Sequence, residues 1–244
     1  MKSRLAFLIA ASVVSCGALA QHHWSYSGEA GPQNWGKLEA EFAACGIGKN
    51  QSPIDLANVP KGDLKPLEIA YGKGANEIVN NGHTVQVNYR PGSSLVVDGR
   101  SFELKQFHFH APSENTFDGR HFPLEGHFVH ADKDGHLAVV AVMFREGAAN
   151  PVLATLWKSM PGKAGDKKAL ASLPSAAGLL PADRGYYRFT GSLTTPPCSE
   201  GVEWLVIKQP ATASKQQIGA FGKAVGGPNN RPVQPLNGRH VDAS

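Results

Sequence analysis

At 244 residues the chain is long enough for one large domain with a proper core, and β-rich domains of this length are often single. Its 24 Lys and Arg stand against 20 Asp and Glu, a formal charge of +4 with no lysine or arginine run, so the footprint of a nucleic-acid binder is absent. No internal repeat, low-complexity tract or domain linker divides it.

The chain opens on an address. Lys2 and Arg4 form a positive start, Leu5 to Val14 an apolar run, and Ala18-Leu19-Ala20 an A-x-A cleavage site. The apolar run is too short to span a bilayer. Residues 1–20 therefore read as a signal peptide that exports the chain to the periplasm, and residues 21–244 as the mature domain. Losing Lys2 and Arg4 takes 24 basic residues to 22 against 20 acidic, and the charge from +4 to +2. The competing reading is a lipoprotein, because Val13-Val14-Ser15-Cys16 resembles the box at which bacterial lipoproteins are cut and acylated. That would tether the same domain to a membrane through Cys16. Cleavage after Ala20 also leaves His23 third from a free amino terminus. Gln21-His22-His23 then offers a square-planar Cu(II) or Ni(II) site, unless Gln21 cyclises or the histidines pack.

From Gln21 to Pro66 the chain is rich in Gly, Pro, Asn and Trp with little periodicity, an irregular segment wrapped over the domain in which Trp24, Tyr26 and Trp35 form an aromatic cluster. Cys45 and Cys198 remain once Cys16 is set aside with the targeting segment, either as a bridge in a compartment that permits one or as two buried thiols. Strand-length runs follow at Ile78 to Asn80, Val85 to Tyr89, Leu95 to Val97, Phe102 to His110, Leu124 to Ala131 and Leu137 to Phe144. Asn81-Gly82, Asp98-Gly99, Asp118-Gly119 and Asp134-Gly135 punctuate them, which implies a largely antiparallel sheet.

Helices are few. Asn150 as N-cap with Pro151 at N1 opens one whose stripe is Val152, Leu153, Leu156, Trp157 and Met160. A second begins near Ser214, with Gln217 as capping-box partner and Ile218, Phe221 and Val225 as its buried side. Residues 161–181 read as loop with some helical potential, and strands return at Phe189 to Gly191 and Val202 to Lys208.

Two of the strands carry the chemistry. Side chains two apart share a face of a strand, so Gln106, His108 and His110 point one way and Phe107 and Phe109 the other. In the run Leu124 to Ala131, Glu125, His127 and Val129 likewise share a face. If the two strands are neighbours, His108, His110 and His127 converge. Three imidazoles without a fourth protein ligand are the arrangement of a catalytic zinc, which keeps one position open. Gln106 and Glu125, each two residues before a ligand and on its face, suit the outer partners that orient zinc-bound imidazoles. The bland alternative is ordinary histidines in a β-protein.

With these strands the chain resembles an alpha-class carbonic anhydrase of the bacterial, exported kind over about His22 to Val241. The other matching blocks are H-H-W-S-Y at 22–26, N-Q-S-P-I-D at 50–55, N-N-G-H at 80–83, S-E-N-T at 113–116, G-S-L-T-T-P-P at 191–197 and N-R-P-V-Q-P-L at 230–236. The resemblance implies a single, mainly β domain with short helices (α+β) and a conical cleft. In that cleft zinc-bound hydroxide attacks CO2 to give bicarbonate. Thr194 would orient the hydroxide and Glu114 would orient Thr194, since a threonine can accept one bond while donating another and a carboxylate only accepts. His83 occupies the family's proton-shuttle position, a task suited to an imidazole. Val129, Val139, Leu193, Val202 and Trp204 match its apolar CO2 wall, and Thr195 would line the cavity within reach of bicarbonate. Tyr26 falls near the rim. Asn81 and Gln86 would hold a water chain, with Gln86 in place of a more usual asparagine and Asn115 where many animal members have histidine. The resemblance also implies the Cys45–Cys198 bridge, for which chain entropy gives an upper figure of roughly 5 kcal/mol. His121, His130, His136 and His240 acquire no role. The partners implied are small molecules, with a monomer or homodimer and no membrane span. The rivals are a non-catalytic zinc carrier, a zinc esterase and a family member that has lost catalysis and only binds.

Overall fold

In the computed structural model, residues 24–170 and 175–244 are described, so the signal segment, Cys16 and Gln21-His22-His23 lie outside it. The strands are β1 (Asp55–Leu56), β2 (Glu68–Ala70), β3 (Ala75–Asn80), β4 (Val85–Tyr89), β5 (Ser94–Val97), β6 (Arg100–His110), β7 (Thr116–Phe117), β8 (Leu124–Ala131), β9 (Leu137–Glu146), β10 (Lys167–Ala169), β11 (Tyr186–Ser192), β12 (Glu200–Ala213) and β13 (Asp242–Ala243). The helices are α1 (Trp35–Leu38), α2 (Ala44–Ile47), α3 (Pro151–Trp157) and α4 (Lys215–Val225). One sheet runs β10-β3-β4-β6-β8-β9-β12-β11-β13, with β5 also on β6 and β2 on β5.

The expectation of a mainly β, largely antiparallel fold is met; the parallel pairs are the short β1–β7, a small sheet of its own, and one at the centre of the large sheet. β12 lies parallel to β9, Trp204 opposite Val139. A parallel partner needs a long crossover, and the chain from Glu146 to Glu200 supplies it, carrying α3, β10 and β11. That crossover also corrects the loop reading of residues 161–181, where Lys167–Ala169 pairs with β3 as an exposed edge strand. Turn chemistry acts as expected at Asp98-Gly99 and Asp118-Gly119, where both residues take positive φ.

Strict alternation fails within β6. Against β8, Leu104 faces His130 and Gln106 faces Val129, so Lys105 is an extra residue. This bulge shifts the phase by one. Phe102, Leu104, Phe107 and Phe109 consequently all enter the same core, and Gln106, His108 and His110 face away from it. Each buried Phe or Leu side chain contributes roughly 1.5–3 kcal/mol, so the bulge lets β6 keep four anchors and still turn three polar side chains to the other face.

That core also takes Val85, Val87, Phe128, Val140, Val142, Leu205 and Ile207 from alternate positions of the neighbouring strands. α3 and α4 cover it through Val152, Leu153, Leu156 and Phe221, capped by Asn150 and by the Ser214–Gln217 capping box. On the opposite face a smaller cluster holds Ile54, Val139, Ala141, Met143, Val202, Trp204 and Val206. A third joins Trp35, Cys45 and Cys198, with Trp24 and Tyr26 packed against it.

Candidate functional site

The sheet register brings the histidines together. His108 lies directly opposite His127, and His110 opposite Glu125. Ring centroids of His108 and His110 are 5.1 Å apart, those of His108 and His127 5.4 Å, and those of His110 and His127 4.6 Å. One potential ligand atom from each of the three lies within 4.8 Å of the other two.

Each ring is held by a different outer group. His108 Nδ1 donates to Gln106 Oε1 at 2.8 Å, and His110 Nδ1 donates to the Asn229 carbonyl at 2.7 Å. Both tautomers therefore leave Nε2 with its lone pair. Glu125 Oε1 stands 3.0 Å from His127 Nε2, close enough for an ion pair yet too poorly aligned for a hydrogen bond. Burial, reinforced by the neighbouring imidazoles, holds His108 and His127 well below the usual histidine range. His110 is lowered by burial, with the Asn229 carbonyl and Glu125 pulling it back. Neutral imidazole is the form that binds a metal.

Glu114 is buried beside the trio, its Oε2 3.5 Å from His110 Nε2 and 3.8 Å from His127 Nδ1. Oε1 accepts the Arg231 backbone N–H at 2.8 Å. Burial pushes its carboxyl well above the usual range, and that N–H and the Thr194 side chain, close enough to hydrogen-bond to it, pull it back. His110 Nε2 and Glu114 Oε2 are both buried without a hydrogen-bond partner. Thr194 stands ready to fill Glu114 Oε2; the orphaned nitrogen asks for an explanation of its own, and as one of three converging neutral nitrogen donors it fits a divalent cation. All-imidazole donors suit zinc.

Sheet order divides the cleft, whose volume is about 170 Å³. Gln86 and Gln106, from β4 and β6, join Asn81 and His83 on a polar side, and Val129, Val139 and Trp204, from β8, β9 and β12, join Leu193 on an apolar one. Thr194 and Thr195 complete the lining, and Trp24 and Tyr26 stand at it with His83. The His83 ring stacks on Trp24 at 3.6 Å between centroids and 10° between planes. Val202 is placed differently from the wall expected of it. Only 1% exposed, it lies two residues before Trp204 on the same face of β12 and packs in the cluster that holds Val139 and Trp204 without reaching the lining.

The loop carrying Thr194 is held from both ends. Before it, Ser52 and Ser192 exchange bonds, Ser52 N–H to Ser192 Oγ at 2.9 Å and Ser192 N–H to Ser52 Oγ at 3.1 Å. Gly191 permits this approach, since a Cβ there would lie 2.1 Å from Ser52 Oγ. After it, Cys198 N–H donates to the Thr195 carbonyl at 2.9 Å, and Cys198 is disulfide-bonded to Cys45 with Cα atoms 5.0 Å apart.

Reading the residues one by one gave no part in this frame to three of its members, Asn115, Asn229 and Arg231. Asn115 donates from Nδ2 to Glu125 Oε1 at 2.8 Å, and Glu125 Oε2 accepts the backbone N–H groups of Glu114 and Asn115. Asn229 contributes its carbonyl to His110, while its Nδ2 donates to the His83 and Phe109 carbonyls. Arg231, 1% exposed, spans Gln51 Oε1 and the Ser52 and Cys45 carbonyls. The S-E-N-T and N-R-P-V-Q-P-L blocks contain Asn115 and Arg231 without giving either a part, and a backbone carbonyl such as that of Asn229 leaves no mark in a sequence.

A family model described as eukaryotic-type carbonic anhydrase matches residues 30–244. The chain belongs to the alpha, or eukaryotic-type, carbonic anhydrase family. A carbonic anhydrase of Pectobacterium carotovorum is 50% identical over 242 residues, covering 99% of both chains. Among solved structures, the alpha-carbonic anhydrase of Thermovibrio ammonificans in complex with the inhibitor sulfanilamide superposes at a TM-score of 0.88 with 51% identity, covering 90% of this chain and 98% of that one. A hyperthermostable carbonic anhydrase from an active hydrothermal vent chimney does so at 0.88 with 54% identity, covering 91% and 99%. Among the described residues no helix is long and apolar enough to cross a membrane.

Proposed function

We propose that the chain is a zinc enzyme that interconverts CO2 and bicarbonate, with His108, His110 and His127 as the metal ligands. The observation that carries this is the orphaned, buried His110 Nε2 among three converging rings that burial keeps neutral. Zinc held there supplies a nucleophile at neutral pH by lowering the pKa of water to about 7, a value that is carbonic anhydrase's own and not one derived from this chain.

The protein's part is to orient and to move protons. Gln106, the Asn229 carbonyl and Glu125 hold the rings so that one nitrogen of each faces inward. Glu114, fixed through Oε1 by the Arg231 N–H, keeps Oε2 for the Thr194 hydroxyl, which then turns its oxygen lone pair to the nucleophile's hydrogen. Val129, Val139, Leu193 and Trp204 give uncharged CO2 a dry wall, with Val202 supporting it from below, and Thr195 faces the product. His83 takes the released proton at its imidazole and passes it to buffer. Residues 1–20 act as a signal peptide, and residues 21–244 work in the periplasm as a monomer or homodimer, partnered only by small molecules. Lipidation at Cys16 is the alternative address, and lipid analysis of membrane fractions separates the two.

Stopped-flow CO2 hydration on zinc-loaded protein is the test. His108→Ala should abolish both activity and zinc retention, and activity surviving that change refutes the metal assignment. His83→Ala should lower kcat while sparing kcat/KM, with recovery in imidazole buffer; a variant that imidazole does not rescue removes the shuttle role.

A further inference from the structure

A hydrogen-bonded chain leaves the polar side of the cleft and ends at the protein surface. Gln86, which lines the cleft opposite His108 in the sheet register, donates from Nε2 to Asn88 Oδ1 at 2.7 Å. Asn88, opposite both Gln106 and Glu77, donates from Nδ2 to Glu77 Oε1 at 3.1 Å. The other Glu77 oxygen is 3.4 Å from Lys167 Nζ, on the exposed edge strand.

Only the carboxylate end of this chain has no choice of polarity. An amide can present either its oxygen or its nitrogen, and the hydrogen-bond network decides which. An ionised carboxylate only accepts. Asn88 must therefore turn its Nδ2 to Glu77 and its Oδ1 to Gln86. Gln86 in turn must give Nε2 to Asn88, which leaves its Oε1 for the cleft.

We propose that Glu77, a carboxylate outside the cleft, is a positioning residue that sets the donor–acceptor sense of the cleft wall, through Asn88 and Gln86, so that an amide oxygen faces the water path between the metal centre and His83. An oxygen there takes a hydrogen from the adjoining water and leaves that water's lone pair open to receive a proton. An N–H there would occupy the lone pair on which the proton has to land. The inference rests on the hydration reading and deepens it, since it concerns the proton-export step alone.

The test inverts the chain without losing the surface ion pair. In Glu77→Lys with Lys167→Glu the ends exchange charge, a donor now faces Asn88, and both amides must turn over. The double variant should keep its melting temperature and its kcat/KM, and its kcat should fall about fivefold, the change that goes with one ordinary hydrogen bond. Glu77→Gln, whose amide oxygen can still accept from Asn88, should retain the wild-type kcat. Independently of activity, hydrogen exchange at the Gln86 side-chain amide, slowed in wild type by the bond to Asn88, should quicken in the double variant. Equal kcat values in all three proteins, or unchanged exchange at Gln86, overturn the relay and leave the hydration reading standing. If zinc-loaded wild type hydrates no CO2, the hydration reading falls instead, and the exchange measurement still decides whether Glu77 orients Gln86.

Discussion

His127 and His130 lie three residues apart on β8, on opposite faces of the sheet, and both are buried. Burial lowers the pKa of each. What separates them is hydrogen bonding. His130 has both nitrogens occupied, Nδ1 donating to the Ala138 carbonyl at 3.1 Å and Nε2 accepting from the Tyr71 hydroxyl at 2.8 Å. His127 meets only carboxylates outside hydrogen-bond geometry, Glu125 behind it at Nε2 and Glu114 3.8 Å from the inward-facing Nδ1, and the ring faces two other imidazoles. A buried neutral histidine is thus no mark of function by itself; a buried donor set left incomplete by the protein is.

The sharpest way to break this contrast is to delete each ring. His127→Ala should lose bound zinc and lower CO2 hydration by more than the roughly 10–100-fold that removal of an outer partner costs, as measured by metal analysis and stopped flow. Tyr71→Phe, which strands His130 Nε2, should leave kcat unchanged and cost about 1–3 kcal/mol in urea unfolding. An inactive Tyr71→Phe with intact zinc content would show that the two faces are coupled.

Next in size are the outer groups. Gln106→Ala and Glu125→Gln should each weaken zinc binding about 10–100-fold in competition with a chelator. Glu125→Gln should show the larger loss, because Glu125 also holds the backbone of Glu114 and Asn115.

The pH dependence separates the faces again. Burial first, against the opposing Ala138 and Phe128 backbone carbonyls, takes His130 down to about 4. The folded state then binds this proton less readily than the unfolded one, whose histidine titrates near 6.5. The stabilisation from the neutral ring is complete above about 6.5, declines as pH falls toward 4, and amounts to about 3 kcal/mol. Subtracting the urea-unfolding curve of His130→Phe from that of wild type across this window should isolate it, and a flat difference would contradict it.

The smallest effect belongs to the exposed group Asp132, Asp134 and His136, which also satisfies the distances of a metal site. Asp132 is already bonded to Arg100 and to the backbone of Asp134 and His136. Zinc should bind at one per chain, and Asp134→Asn should leave that stoichiometry as it is.

Much of this site was legible in the residues, because alternation is a local property. His108 and His110 share a face whatever their strand pairs with, and Asn150-Pro151 and Ser214 to Gln217 cap helices through bonds within a few residues of chain. Carried back to Phe102 and Leu104, the same periodicity would put them on the ligand face, whereas one bulged residue, Lys105, reverses the faces for everything before it. Bulges answer to the burial demands of neighbouring strands, and those demands are not written in the strand itself.

Residue order alone determined which side chains could serve as ligands, which turns could close, and to which family the chain belongs. Tertiary structure decided that His108 stands opposite His127, that β12 lies parallel to β9, and that Asn229 and Arg231, more than a hundred residues further on, orient His110 and Glu114. The reason is physical. Faces and caps follow from the geometry of adjacent residues, whereas register and distant carbonyls are chosen only when the whole chain satisfies its buried groups together.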